Sequence, residues 1–233
     1  MTDYSSLNYW ENRYTSEHQE IFEWYQTYDS LKEKIGDYFG KDDKILNVGC
    51  GTSKLAEDLY IEDIQNVTNI DFSENAIRIM EDRYKEQNVE MKYIKMNVMD
   101  MHEFPDGSFN IVFDKALLDC ILCAENAYPL VEKMFSEIYR VLTSDGIYII
   151  ISNGNEDSRK MLFNEEMWEY SKVKIEKQAK FMIMDGEDPK NFHHIYILKK
   201  KTKKEEEKVE DEPKVEEEKK EVKGKEGKKR KVT

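Results

Sequence analysis

Two glycines and one acid are the residues whose types and spacing most clearly indicate chemistry. Gly49 and Gly51 flank Cys50 directly after an aliphatic run, and Asp71 ends the next aliphatic run, twenty residues after Gly51. A glycine turn between a strand and a helix lets a ligand approach the backbone closely. An acid at the end of the following strand can accept hydrogen bonds from both hydroxyl groups of a ribose. The pattern predicts a nucleoside-binding site.

The kind of nucleoside follows from what the turn lacks. A dinucleotide fingerprint has a third glycine where this chain has Lys54, so the site for a pyrophosphate is incomplete. A nucleoside cofactor without phosphates fits better, and S-adenosyl-L-methionine is such a molecule. Asp71 would hold its ribose, Phe72 would lie beside its adenine, and its methionine moiety would lie over the bare backbone of Gly49 and Gly51.

The elements that must position these residues alternate along the chain. Strand-like and helix-like segments follow one another in the order 44–48, 54–61, 66–70, 74–85, 91–96, 109–114, 127–142 and 146–152, with 91–96 and 109–114 both strands. Such alternation predicts a parallel sheet with helices on both faces. We therefore predict an α/β fold that is Rossmann-like, doubly wound and mostly parallel.

The pattern changes after residue 152. A helix is predicted at 157–168, followed by strand-like segments at 172–184 and 191–198 that are joined by the turn-rich sequence DGEDPK. Two late strands joined by a short loop predict an antiparallel C-terminal hairpin at the edge of the sheet.

The charged residues are unevenly distributed along the 233-residue chain. Residues 199–233 hold 15 basic and 11 acidic residues with no aromatic one, so they are predicted to form a disordered charged tail. Residues 1–198 have a net charge of −17, which disfavours a nucleic-acid partner and favours cationic ones. We expect residues 1–40, which are rich in aromatics, to form a helical cap and residues 41–198 to form the catalytic core.

Other classes of site and location receive little support. The pair Cys120-x-x-Cys123 has no second pair to complete a zinc site, so we expect small buried residues on a helix after a strand and no metal. No apolar run reaches about 18 residues and the first residues do not resemble a signal peptide, so we expect an intracellular protein without a membrane span. The terminal GKKRKVT resembles a nuclear-import patch, which suggests a cytoplasmic protein with access to the nucleus.

Seven stretches occur in the order and at the spacing of a known family. They read YWENRY, FEWYQTYDSL, ILNVGCGTSKL, VTNIDFS, FPDGSFNIVFDKALLDCIL, EIYRVLTSDGIYI and FHHIYIL. Together they resemble the class I, seven-stranded S-adenosylmethionine-dependent methyltransferases. More narrowly, they resemble the elongation factor 1A lysine methyltransferases, including the methyltransferase-like protein 13 group.

The resemblance implies cofactor contacts from the N-terminal cap and from several strand ends. It assigns these contacts to Trp10, Tyr14, Trp24, Gly49, Asp71, Phe72 and Lys115. Where relatives carry an acid near the adenine, this chain has Asn97-Val98 followed by Asp100, so Asn97 and Asp100 are competing candidates. The family's DKGTLDAL is DKALLDCI here, with Ala116 and Leu117 in place of glycine and threonine.

The resemblance also implies a protein substrate with an accessible lysine, on an elongation-factor-like protein. A lysine must lose a proton before it attacks, which its pKa of about 10.4 opposes. Asp114 and Asp119 bracket the end of the fourth strand, and we hypothesise that one of them orients or deprotonates the amine. The alternative is that Asp114 only holds the loop or Lys115. His193 and His194 fit hydrogen-bonded positions in the sheet, and the family match makes His194 a candidate on the substrate side.

Two other functions remain open at this point. One is methylation of a small basic metabolite. The other is a non-catalytic binding protein that has kept the fold.

Overall fold

The computed structural model describes residues 3–15, 20–86, 91–178 and 191–201. The predicted turn DGEDPK and residues 202–233 of the tail predicted at 199–233 lie outside the described residues. Lys199 and Lys200 belong to the last strand, so the predicted start of the tail is wrong.

Seven strands form one sheet in the order β3-β2-β1-β4-β5-β7-β6. They are β1 (Ile45–Val48), β2 (Val67–Asp71), β3 (Lys92–Lys95), β4 (Phe109–Lys115), β5 (Leu142–Ser152), β6 (Trp168–Glu176) and β7 (Phe192–Lys200). Strands β1 to β5 pair in parallel, and β7 runs antiparallel to both β5 and β6. The predicted fold class, with its antiparallel C-terminal pair, is confirmed.

The helices of the described chain are α1 (Leu7–Arg13), α2 (Tyr28–Ile35), α3 (Leu55–Ile61), α4 (Glu74–Glu86), α5 (Leu117–Ile121), α6 (Ala127–Val141) and α7 (Glu156–Arg159). Single 3-10 turns follow α2 and α7, at Gly36–Tyr38 and Lys160–Leu162. The expected cap at 1–40 is helical at α1 and α2. The described residues between them, 20–27, have no regular structure, and we call them the strap.

The central strands are buried on both faces because helices cover the sheet from both sides. Leu46 and Val48 pack with Ile138 of α6 in one cluster, while Ile45 packs with Leu31 of α2 in a second cluster on the other face. Side chains alternate along a strand, so a strand buried on both faces needs apolar residues at successive positions. This need explains the near-continuous aliphatic runs in the sequence.

The helix predicted at 157–168 begins where expected, at Glu156, but is shorter than predicted. Helical structure stops at Leu162, and the Met167 and Trp168 backbone N–H groups both donate to the carbonyl of Asn164. Trp168 then opens β6 and is 2% exposed, with its ring against Phe135. Burial of this indole decides the local structure, and sequence periodicity does not report it.

Strand β5 also begins earlier than predicted, at Leu142 instead of residue 146. Its register against β4 jumps from Phe109 opposite Leu142 to Ile111 opposite Ile147. The residues between bulge out of the ladder, which hid the start of the strand in the sequence.

Candidate active site

One cleft lies at the carboxyl edge of the parallel strands, where the sheet order reverses beside β1. This is the place where open α/β sheets bind ligands. The cleft measures about 990 Å³, counting the part open to solvent. Its lining includes all ten predicted cofactor residues: Trp10, Tyr14, Trp24, Gly49, Gly51, Asp71, Phe72, Asn97, Val98 and Lys115.

The glycine turn after β1 needs its glycines for two reasons. Gly49 and Gly51 have φ angles of +61° and +51°, in the left-handed region that other residues rarely adopt. A Cβ on Gly49 would lie 2.9 Å from a methyl carbon of Leu117, and one on Gly51 would lie 2.6 Å from the Tyr14 hydroxyl oxygen. The side chains of Leu117 and Tyr14 therefore lie close to the backbone of the glycine turn, and the turn also lines the cleft.

Asp71 is the most constrained side chain of the cleft. Its two carboxylate oxygens accept hydrogen bonds from the backbone N–H groups of Gly51 and Ser73, each at 2.9 Å. Burial raises the pKa of Asp71 to about 6, although these two bonds work in the opposite direction. Each carboxylate oxygen has a second lone pair, so the group can still accept from two ribose hydroxyls.

The strap lies against the cleft through Glu23. Its carboxylate accepts from the Ser53 hydroxyl at 2.9 Å and from the Lys54 backbone N–H at 2.5 Å, at the start of α3. The same carboxylate pairs with Lys115, whose ammonium also donates to the carbonyl of Gln26 at 3.0 Å. Lys115 therefore lines the cleft and also ties the strap to the end of β4.

Aromatic rings close the cleft from the N-terminal side. Trp10 stacks on Tyr14 with ring centroids 5.7 Å apart, and Trp24 meets Trp10 at 6.0 Å and Phe22 at 5.4 Å. The Trp10 indole N–H donates to the carbonyl of Tyr4 at 2.7 Å. These rings give the cleft an aromatic wall on this side.

The structure distinguishes between Asn97 and Asp100, the two competing candidates for the adenine side. Asn97 lines the cleft, and its side-chain oxygen accepts from the Met99 backbone N–H at 3.0 Å. Asp100 does not line the cleft and instead pairs with His102 at 2.9 Å. The geometry therefore favours Asn97.

Asp114 does not line the cleft. It is fully buried, and its carboxylate accepts from the backbone N–H groups of Leu117 and Leu118 and from the Tyr148 hydroxyl. Burial raises its pKa to about 7, against the effect of the Tyr148 hydrogen bond. The arrangement agrees with the alternative that Asp114 holds the turn between β4 and α5.

Asp119 is also occupied by the protein itself. Its carboxylate accepts from the Tyr25 hydroxyl and from Ser152, Asn153 and Arg159. These donors belong to the strap, the end of β5 and α7. Asp119 therefore ties three parts of the rim together and does not line the cleft.

His193 and His194 are both buried, at 1% and 6% exposure, because both faces of β7 are covered. The Nδ1 atom of His193 lies 3.0 Å from the side-chain nitrogen of Gln26, and its ring stacks on Tyr25 at 4.5 Å. Burial lowers the pKa of His193 to about 4, so the ring is neutral at pH 7. His194 instead stacks on Tyr196, and neither histidine lines the cleft.

Several residues that build the site were not singled out in the sequence. Glu11 caps α4 by accepting from the Glu74 backbone N–H at 2.7 Å, and Glu23, Tyr25 and Gln26 fix the strap. Their only sequence signal is their place within YWENRY and FEWYQ. Cys120 lines the cleft, but Cys123 is exposed and lies beyond the end of α5, so its expected burial on a helix is wrong; both are free thiols.

Comparisons with known proteins identify the family. The family described as "Methyltransferase domain" matches residues 39–222. The chain belongs to this methyltransferase family. It is 40% identical over 152 residues to the cattle eEF1A lysine and N-terminal methyltransferase, which covers 64% of the chain and 22% of that protein. The chain thus spans about a fifth of the length of this relative.

Two further comparisons complete the placement. The mouse EEF1A lysine methyltransferase 4 is 26% identical over 179 residues, covering 72% of this methyltransferase and 69% of that protein. A solved SAM-dependent methyltransferase of Methanosarcina mazei has a TM-score of 0.54 at 17% identity, covering 72% of the chain and 96% of that structure. At that identity the likeness shows the fold alone.

S-adenosyl-L-methionine is the cofactor of this methyltransferase, and the residues of the cleft fit it. The buried Asp71 carboxylate keeps acceptor capacity for a ribose, and the glycine turn leaves backbone exposed beside it. Apolar and aromatic walls, including Phe72 and Val98, suit an adenine.

Among the described residues, no group of three or more His, Cys, Asp or Glu side chains is arranged to hold a metal ion. No helix of the described part is long and apolar enough to cross a membrane.

Proposed function

We propose that this methyltransferase transfers a methyl group to a lysine of a protein, and specifically of an elongation factor 1A. The observation that carries the proposal is the 40% identity, over 152 residues, to a relative named as an eEF1A lysine and N-terminal methyltransferase. The mouse relative, which matches over most of its own length, is also named for an eEF1A lysine.

The charge of the protein suits a cationic acceptor. Residues 1–198 carry 38 acidic and 21 basic residues, which attracts a basic segment and its lysine. When bound, the cofactor supplies the methyl group on a sulfonium. The protein's own contribution would be to position that group and the acceptor in the cleft, since positioning supplies much of the rate of such a displacement.

The cleft offers no free carboxylate to the incoming amine. Asp71 is the only Asp or Glu in the lining that the structure describes, and the resemblance gives it to the ribose. Asp114 and Asp119 are engaged elsewhere. In our proposal the lysine therefore loses its proton to water as it leaves solvent, because a low-polarity entrance lowers the pKa of an amine.

Asp119→Asn tests this point. We expect kcat to change by less than about tenfold, with the same dependence of kcat/KM on pH, because Asp119 acts on the rim and not on the amine. Loss of a titration step from the pH profile of the variant would instead identify Asp119 as the base.

The main experiment uses purified protein, elongation factor 1A and cofactor with a labelled methyl group. Label on the factor, placed by tandem mass spectrometry on a lysine side chain, supports the proposal. Label on its N-terminal amine would move the proposal to the second activity in the cattle relative's name. Asp71→Ala is the control and should remove cofactor binding and label together.

Label confined to low-mass material from a cell extract would favour a small basic metabolite as the acceptor. Failure to bind the cofactor in calorimetry would favour a binding protein that has kept the fold. We further propose a cytoplasmic location with access to the nucleus, supported by GKKRKVT and tested by imaging a tagged chain with and without that sequence.

A further inference from the structure

Two large apolar side chains touch each other on the outside of the protein. Tyr128 and Met161 are 58% and 69% exposed, and the Tyr128 hydroxyl donates to the Met161 sulfur with 3.9 Å between oxygen and sulfur. They belong to different elements, the first turn of α6 and the 3-10 turn after α7. Adjacent apolar side chains that stay in solvent indicate a surface for a partner, and aromatic residues and Met are enriched at protein interfaces.

This apolar pair lies at the same edge of the sheet as the cleft. Helix α6 begins shortly after β4 and α7 shortly after β5, so both begin where these parallel strands end. Leu130, two residues after Tyr128, lines the cleft. Helix α5 also lines the cleft, and its Asp119 accepts from Arg159, two residues before Met161. A protein that inserts a lysine into the cleft is therefore brought close to the apolar pair.

Three exposed acids lie beside the pair in the chain. Glu125 and Glu132 lie three residues before and four residues after Tyr128. Asp157 lies four residues before Met161. Positions four apart on a helix share one face, so Glu132 is a neighbour of Tyr128. None of the three acids has an ion-pair partner among the residues that the structure describes.

The cations of the same two segments do not neutralise these acids. Arg159 and Lys160 are each paired with another acid, at 2.8 and 3.9 Å. Lys133 comes five positions after Tyr128, which places it about 140° around α6 from that side chain. The apolar pair therefore lies in a negative field, which repels the phosphates of a nucleic acid or an anionic membrane and attracts a basic segment of a protein.

We propose that Tyr128, Met161 and the three acids form a docking surface for the protein acceptor. The occupant is a basic segment of the acceptor that carries a large apolar side chain and lies near the lysine to be methylated. The inference rests on the proposed function, because it requires a protein acceptor. It adds a determinant of specificity outside the cleft, which a free lysine or a small metabolite does not reach.

Steady-state kinetics with purified elongation factor 1A as the acceptor test the apolar pair. We expect the double variant Tyr128→Ser/Met161→Ser to raise KM for the acceptor by about tenfold and to leave kcat within about twofold. The reason is that docking holds the acceptor equally in the ground state and in the transition state. Calorimetric affinity for S-adenosylmethionine should not change.

The double variant Tyr38→Ser/Ile61→Ser is the matched control. These two side chains are 39% and 72% exposed, before β1 and at the end of α3, at the opposite edge of the sheet. This change should leave KM for the acceptor within about twofold. Thermal melts and near-ultraviolet circular dichroism establish that both double variants are folded.

A second pair of variants tests the charge of the docking surface. The first neutralises its three acids, by Glu125→Gln, Glu132→Gln and Asp157→Asn. The second removes the same charge at three exposed acids of the opposite edge, by Asp42→Asn, Asp145→Asn and Glu169→Gln. We expect only the first to raise KM for the acceptor and to weaken the dependence of KM on salt.

Four results would overturn the docking surface. The first is an unchanged KM in Tyr128→Ser/Met161→Ser, and the second is an equal rise in its control. The third is a loss of kcat at unchanged KM. The fourth is a dimer, detected by light scattering, that dissociates in Tyr128→Ser/Met161→Ser, because the surface would then bind a second copy of the chain. Absence of label on elongation factor 1A with the unmodified protein would overturn the proposed function and this inference together, which distinguishes the two failures.

Discussion

Cofactor affinity is expected to depend on the ionisation of Asp71. The carboxylate keeps two backbone hydrogen bonds, from Gly51 and Ser73, and must accept two more from a ribose. Only the ionised group has acceptors for all four, because a protonated carboxyl turns one oxygen into a donor. Burial raises the pKa of Asp71 to about 6, so this change falls within an accessible pH range.

The size of the effect follows from that pKa. At about pH 5 roughly one Asp71 in ten is ionised, whereas at about pH 8 nearly all are. If the ionised form binds the ribose, affinity should rise about tenfold across this range, which corresponds to about 1.4 kcal/mol. The rise should flatten above about pH 7.

The assay is calorimetric titration with 5′-methylthioadenosine, which keeps the ribose and has no group that titrates between about pH 5 and pH 8. Asp71→Asn should bind weakly at every pH and should lose the rise, because its amide does not ionise. Asp58→Asn is the matched control, since burial raises the pKa of Asp58 to about 6 as well, yet Asp58 does not line the cleft. A flat profile for the unmodified protein, or a tenfold rise that survives in Asp71→Asn, would refute the reasoning.

Three changes probe the turn and the strap through equilibrium unfolding. Gly51→Ala should cost about 1–2 kcal/mol from its φ of +51°, with a further loss from contact with the Tyr14 hydroxyl. Adding Tyr14→Phe should recover the second part, and no recovery would show that the contact is absent. Lys115→Met should cost about 3 kcal/mol by leaving the Glu23 carboxylate without its cationic partner, and Glu23→Gln in the same chain should restore part of it; additive losses would contradict this. Ala116→Gly should stabilise the protein by up to about 1 kcal/mol, because Ala116 has a φ of +80°, in the left-handed region that glycine adopts without strain; a destabilised variant would show that the methyl group's packing outweighs the strain.

The alternation of strands and helices was enough to predict the fold class, because each element leaves its own periodic pattern in the chain. The same pattern predicted where ligand-binding side chains would meet. Parallel strands end at one edge, so residues that follow β1, β2, β3 and β4 come together there whatever their distance in sequence. The ten predicted cofactor residues therefore line one cleft, and their individual roles remain predictions.

The positions of Asp114 and Asp119 in the fold could be predicted from the sequence, but their hydrogen-bond partners could not. Asp114 and Asp119 lie at the right end of the right strand, but the sequence does not tell which donors surround a carboxylate. Asp114 is occupied by α5 and Tyr148, and Asp119 by groups from the strap, β5 and α7. The early end of the helix predicted at 157–168 has a similar cause, since the burial of Trp168 overrides the local pattern.

The sequence by itself determined the order of the elements, the glycine turn, the acid at the end of β2 and the family to which the chain belongs. Those features are local, or they repeat with the period of a helix or a strand. Only the tertiary structure decided that Glu23, Tyr25 and Gln26 hold the strap. These contacts join residues more than thirty or even ninety positions apart, as Glu23 does with Lys54 and Lys115. Their partners are chosen by packing in three dimensions, which no spacing along the chain records.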